Sequence, residues 1–199
     1  MEGFKEAMLP SGPKSAGQVS VGDAVKEMVG TVGENCQLRN AKSIEVKEGV
    51  LAQYMHTPMG EKVGKLGVIV ALESTADKQA LTGLGESIAM HIAAAKPLYL
   101  EAKDIPVADE EHEKRIFSEQ AAESGKPQNV IEKMVDGRVR KWHEEVVLLE
   151  QEYLLGQGKK QKVLDVLKEA ELSLKAPVTI SGFIRLKCGE GQPPKEPEH

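Results

Sequence analysis

The side chains with the most chemical potential in this sequence are its five histidines and two cysteines. His91 sits in AMHIAAAKP, residues 89–97, among alanines on a stretch that reads as a helix stopped by Pro97. An imidazole there could move a proton, ligate a metal, touch a partner, or fill a tight packing seam. Acid–base catalysis needs an orienting acid or a nucleophile within reach. A metal site needs further ligands at helical or turn spacing. His56, His91, His112, His143 and His199 offer neither, since none lies four residues from another histidine or from a cysteine. Glu111-His112-Glu113 falls in a charge-dense stretch and reads as a solvated helix face. His143 follows Trp142 and reads as solvated or as lying at the base of a helical pair. Cys36 and Cys188 are far apart and read as two reduced thiols in a reducing compartment. No phosphate-binding loop, dinucleotide fingerprint, HExxH or GxSxG is present. These residues favour binding over catalysis, with no metal and no cofactor.

Composition narrows the class. The chain has 199 residues, enough for one core or for a core with an appendage. Aromatics are only 4%, so the core must be aliphatic and alanine-rich. The net charge of −5 argues against a nucleic-acid surface, which needs clustered Lys and Arg. No apolar run approaches the roughly 18 residues needed to cross a membrane. The N-terminal MEGFKEAMLPSGPK lacks the apolar stretch of a signal peptide.

The elements that must carry these side chains follow from periodicity. Residues 9–19 read as a Pro/Gly/Ser-rich loop, and 21–31 as a short helix with Val21, Val25 and Met28 on one face, broken at Gly33. Residues 44–54 alternate, with Ile44, Val46, Val50, Ala52 and Tyr54 on one face, and predict a half-buried strand kinked at Gly49. A turn is expected at Thr57-Pro58-Met59-Gly60. Residues 65–73 are apolar on both faces and predict a central strand, paired with the first through a long loop. Leu81, Leu84, Ile88, Ile92 and Ala95 define a helix over 77–96. Its small residues, Gly85, Ala89, Ala93 and Ala94, let a neighbour approach closely.

Residues 106–124 predict a charged helix, supported by Glu110/Lys114 and Glu111/Arg115 at i,i+4, about 0.2–0.5 kcal/mol each. Residues 128–149 carry the stripe Ile131, Val135, Val139, Trp142, Val146 and Leu149. Gly125-Lys126-Pro127 between them stops one helix and starts the next. The pair reads as a thin antiparallel hairpin, an arm. A short helix over 161–170 and a third strand over 178–187, with Val178, Ile180, Ile184 and Leu186 inward, complete the pattern. The tail GQPPKEPEH reads as disordered. The expected class is α+β: a small three-stranded antiparallel sheet with packed helices, interrupted by an inserted helical hairpin.

Several stretches together resemble one family, translation elongation factor Ts, the nucleotide-exchange factor for elongation factor Tu. They are VGENCQLR (32–39), YMH (54–56), GKLGVIVALE (64–73), SIAMHIAAAKP (87–97), SGKPQNVIEKMVDGRVRKWHEEVVLLEQEY (124–153) and GFIRLKCGEG (182–191). The resemblance covers roughly residues 30–191. It implies the following layout: 1–40 a remnant of an N-terminal half-core, 41–97 and 149–188 the two parts of a C-terminal half-core, 98–148 a dimerisation-type, coiled-coil-like hairpin, and 189–199 a disordered tail. It implies a partner, elongation factor Tu, and a mechanism by differential binding: the factor prefers the nucleotide-free state and so weakens GDP. It implies a possible homodimer through the hairpin, no enzyme activity, no membrane and no direct nucleic-acid contact.

Family contact positions fall on Val32, just before GEN; on His56, which reaches toward the partner's phosphate loop; and on Tyr153 and Leu154. His91 then becomes a packing residue. The chain lacks the family's T-D-F-V motif and small N-terminal helical domain, and its ending is GEGQPPKE where GEGIEK is usual. It is expected to be either a fragment or a shortened form, and an exchange-deficient structural subunit is the alternative function. The divergent ending suggests a mitochondrial setting, with a bacterial cytoplasm or a plastid as alternatives.

Overall fold

The computed structural model describes residues 2–12, 14, 17–61, 63–156 and 158–190. The expected disordered tail therefore lies outside the described residues, except for Gly189 and Glu190, which form a turn. The chain divides into two compact units, Met1–Ser43 and Ile44–His199.

In the first unit, α1 (Glu2–Lys5) precedes β1 (Met8–Leu9), which pairs antiparallel with β2 (Val19–Ser20), and α2 (Val21–Val32) follows. Ser20 caps α2: its side chain accepts the Asp23 N–H at 3.1 Å, satisfying one of the helix's free donors. Gly33, at φ 77°, ends the helix in the left-handed conformation.

The second unit holds β3 (Gly49–Gly60), β4 (Val63–Glu73), α3 (Lys78–Ala95), α4 (Val107–Ala122), α5 (Gln128–Val146), α6 (Val163–Leu174) and β5 (Thr179–Lys187). The sheet order is β3-β4-β5, antiparallel throughout, and α3 packs on β3 and β4. The fold is α+β with a three-stranded antiparallel sheet, as the alternation in the sequence indicates. The central strand is the one whose sequence is apolar on both faces. Val68, Val70 and Leu72 of β4 meet Leu81, Ile88 and Ile92 of α3, all six buried.

The seam between α3 and the sheet is narrow because Gly85 faces Ala52. A Cβ at Gly85 would collide with the Ala52 Cβ and stand 3.0 Å from Leu72 Cδ1. Gly85→Ala gains about 1 kcal/mol of helix propensity. Overpacking a site whose neighbour is itself fixed to backbone costs about 1–3 kcal/mol. The second effect wins, and we expect a net loss of about 1 kcal/mol, read as a lower urea midpoint at unchanged slope.

Three strand expectations need correction. The first strand begins at Gly49, not at residue 44. Gly49 has φ 149°, and a side chain there would collide with the Leu72 carbonyl oxygen, so the ladder starts at the glycine rather than running through it. Ile44, outside the strand, lies over Gly182 instead. Thr57-Pro58-Met59-Gly60 is not a turn. β3 runs on through it, with Pro58 opposite Gly64 and Gly60 opposite Val63. Pro58 is tolerated because β3 is an edge strand, where a missing N–H removes no interior ladder bond. The irregularity is taken up at Thr57, at φ 53°, and in a register shift between Pro58 and Gly60. The third correction concerns β5. A bulge opposite Ala71 and Leu72 turns the strand over after Ile180. Phe183 then packs on the core, while Ile184 pairs with Ile69 on the other face. Arg185, expected outward, is only 9% exposed, and its Nη1 donates to both Glu190 oxygens at 2.9 Å.

The arm forms as expected, with α4 packed chiefly on α5. Ala121 and Val139 are buried between the helices, and Arg138 Nη1 donates across them to Gln120 Oε1 at 2.8 Å. The Glu110–Lys114 pair is present at 2.9 Å. Arg115 donates to His112 Nδ1 at 2.9 Å rather than meeting Glu111. α5 stops at Val146 rather than 149, because the chain there exchanges helix bonds for strand-like ones. Leu98 N–H donates to Val146 O at 2.8 Å, and Leu148 N–H to Tyr99 O at 2.9 Å. α6 is longer than expected, reaching Leu174.

Candidate docking site

His91 is 1% exposed on α3, so the question it raises is what satisfies its ring. The Leu154 N–H donates to Nδ1 at 3.3 Å, which leaves that nitrogen unprotonated. Nε2 must then carry the proton and donates to Gln151 Oε1 at 2.9 Å. The Gln151 amide nitrogen in turn donates to Glu145 O at 2.7 Å and to Ala95 O at 3.4 Å. Gln151 is itself 4% exposed. One carboxamide thus ties the end of α3, the end of α5 and the His91 ring together. Burial holds the His91 ring below the ordinary histidine range, with the Gln151 hydrogen bond opposing in part. Among the described residues, the ring's hydrogen bonds are to the Gln151 carboxamide and the Leu154 N–H, the pattern of a neutral, structural imidazole. The packing role is the one this geometry fits.

The consequence of the network is a shaped loop. Tyr153 lies against the His91 ring, centroids 5.5 Å apart at 42°. Its N–H donates to Gln161 O at 2.8 Å, and Gly156 N–H donates back to Tyr153 O at 3.3 Å. The phenol is half-buried and raised by burial, with a Ser87 hydrogen bond opposing. Leu154 and Leu155 stand on this loop 58% and 40% exposed. Two adjacent leucines facing water on a loop whose backbone is held from three sides form a preorganised apolar contact.

His56 lies elsewhere, exposed on the helix-facing side of β3. Its Nδ1 shares a hydrogen bond with the Tyr54 hydroxyl at 3.2 Å, and Tyr54 belongs to the fringe of the core. β3 and β4 continue past the end of β5, whose last partner is Leu66, so His56 stands at the root of a two-stranded ribbon. Met59 and Val63, near its tip, are 69% and 59% exposed. Val32, the last residue of α2, is 56% exposed and belongs to the first unit. The structure therefore joins Tyr153 and Leu154 in one loop, while the ring partner of His56 is Tyr54. Reasoning from sequence missed Gln151, whose role needs the fold to be seen, and Leu155, which the Leu-Leu-Gly spacing could have supplied. Among the described residues, no group of three or more His, Cys, Asp or Glu could hold a metal, and no helix is long and apolar enough to cross a membrane.

The class the structure defines is an α+β core that carries exposed apolar side chains on a hydrogen-bonded loop and an exposed imidazole at the root of a strand ribbon. The family model described as Elongation factor TS matches residues 6–190. The elongation factor Ts of Rhizobium meliloti (strain 1021) is 49% identical over 172 residues, 86% of this chain and 55% of the relative. That of Bartonella quintana (strain Toulouse) is 49% identical over the same shares. That of Sinorhizobium fredii (strain NBRC 101917 / NGR234) is 45% identical over 191 residues, 96% of this chain and 60% of the relative. The chain belongs to the elongation factor Ts family. It spans 55–60% of the length of these curated relatives. All three relatives are bacterial, which supports the bacterial alternative; the mitochondrial expectation finds no support among them.

Proposed function

We propose that this chain docks on an elongation factor Tu-type GTPase in a bacterial cytoplasm and promotes release of its GDP. The observation that carries the reading is the Leu154–Leu155 pair, exposed yet fixed by the His91–Gln151 network. Two adjacent apolar side chains held on a fixed loop suit a contact that a partner covers, because little ordering is left to be done on binding. Family membership supplies the partner's identity. His56, held by Tyr54 at the root of the ribbon, is the group proposed to reach the partner's phosphate loop. Val32 is proposed as a separate apolar contact from the first unit. The work is done by differential affinity: tighter binding to the empty GTPase weakens nucleotide by the same factor. The α4–α5 arm is proposed to join two copies, as the family layout implies.

Stopped-flow release of fluorescent GDP from elongation factor Tu, with calorimetry for binding, tests this. We expect binding and accelerated release, with His56→Ala lowering the acceleration about tenfold, the factor for about 1.4 kcal/mol. Binding without acceleration would favour the structural-subunit reading. Absence of binding would remove the function and leave the family fold.

A further inference from the structure

The docking loop hangs on a ring that can change its charge. Leu154 N–H needs a bare Nδ1, and only the neutral imidazole has one, because an imidazolium carries a proton on both nitrogens. The other side of the ring cannot adjust. Gln151 already directs its amide nitrogen to the Glu145 and Ala95 carbonyls, so its oxygen is fixed toward Nε2–H. A proton added to His91 therefore lands on Nδ1 and sets N–H against N–H at Leu154.

We propose that His91 is a positioning residue for the Leu154–Leu155 docking surface, and that its protonation frees the loop and weakens docking. This rests on the reading that the two leucines meet the GTPase. The groups around the ring make it the one that responds. From the loop, Tyr153 faces it with a phenol that stays neutral throughout, since burial raises it. From α3, Ser87 is close by but does not titrate, and Glu86 is exposed. From the end of α5 and the turn after it, Glu145, Glu150 and Glu152 line an outward cleft that also holds Lys160 and Lys162. Among the described residues, no carboxylate lies within hydrogen-bond reach of the ring to hold the imidazolium. The buried site disfavours the charge, so the change falls on the acid side of 6.5, the ordinary histidine value. Above that region the loop is held. As pH falls through the lowered value, the Leu154 bond is lost.

The test uses the whole chain, labelled with nitrogen-15, from about pH 7.5 to about pH 5, the span in which histidine titrates. The Leu154 amide and the His91 ring should shift together with one midpoint below 6.5. Leu154 should lose its protection from hydrogen exchange while Val70 and Ile88 in the core keep theirs. Over the same range, affinity for elongation factor Tu should fall about fivefold, the factor one ordinary hydrogen bond commands. His91→Asn retains an acceptor near the Nδ1 position and cannot titrate, so its profile should be flat across this window. A Leu154 amide indifferent to the ring's titration overturns the proposal, and wild type alone decides that. An equal fall in His91→Asn also overturns it, because the pH response would then arise elsewhere in the interface and not at this ring. No binding at any pH would instead overturn the docking reading, while the amide titration would still decide whether the loop hangs on the ring.

Discussion

Gln151→Ala lowers the unfolding free energy by about 3 kcal/mol, the largest single-site loss we expect outside the aliphatic core. The substitution strands the buried His91 Nε2–H and the Glu145 carbonyl, bonded to Gln151 at 2.9 and 2.7 Å, and weakens the satisfaction of the Ala95 carbonyl at 3.4 Å. A buried donor or acceptor left without a partner costs about 1–3 kcal/mol. Two strong partners and one weak one therefore take a sizeable part of the 5–15 kcal/mol that holds a typical domain together. Thermal melting reads this as a fall of roughly 6–12 °C for a chain of this size. Gln151→Met restores the volume but not the hydrogen bonds, and it should recover only the cavity part of the loss. Full recovery by methionine would mean that the polar network contributes nothing.

The double variant Leu154→Asp, Leu155→Asp shows the opposite pattern. Both side chains are already in water, at 58% and 40% exposure, so the melting temperature stays within the change expected of surface substitutions, about 0.5 kcal/mol. Affinity for elongation factor Tu should drop at least about a hundredfold. Each apolar anchor lost from a docking centre costs about 1.5–2 kcal/mol before the cost of burying a carboxylate is added. Calorimetry with the empty and the GDP-bound GTPase measures both states. Unchanged affinity in a folded double variant would assign the two leucines no part in binding. The contrast with Gln151 is diagnostic: one substitution costs stability, the other costs only the partner.

Much of the fold was legible because the burial pattern is simple. The helical stripe of α3 and the two-faced apolar run of β4 left few alternatives, and the charged α4 beside the striped α5 could only be a hairpin. What was hidden depends on neighbours. Pro58 looks like a turn residue until β3 is known to be the edge strand. The bulge in β5 has no signature beyond Gly182, yet it turns Phe183 toward the helix-side core and Ile184 to the opposite face, where it stays buried. α5 ends early because Val146 and Leu148 bond to the strand-like segment at Leu98 and Tyr99, a choice that periodicity within α5 cannot reveal.

At the site, the alanine surroundings of the histidine allowed a packing role, and the family resemblance selected it. Its partner Gln151 was not, being 60 residues away in sequence and flanked by charges. Leu154 entered through family resemblance, and the structure adds why its backbone is fixed.

The bond from Leu98 N–H to Val146 O, at 2.8 Å, brings the two ends of the arm to within one hydrogen bond of each other. The core therefore registers only a closed gate, whatever length of hairpin lies beyond it. Whole turns can be inserted or deleted in pairs along α4 and α5 without displacing a strand of the sheet. Reach is then set by the length of α4 and α5, while the shape of the docking loop is set by His91 and Gln151 on the core side of that closure.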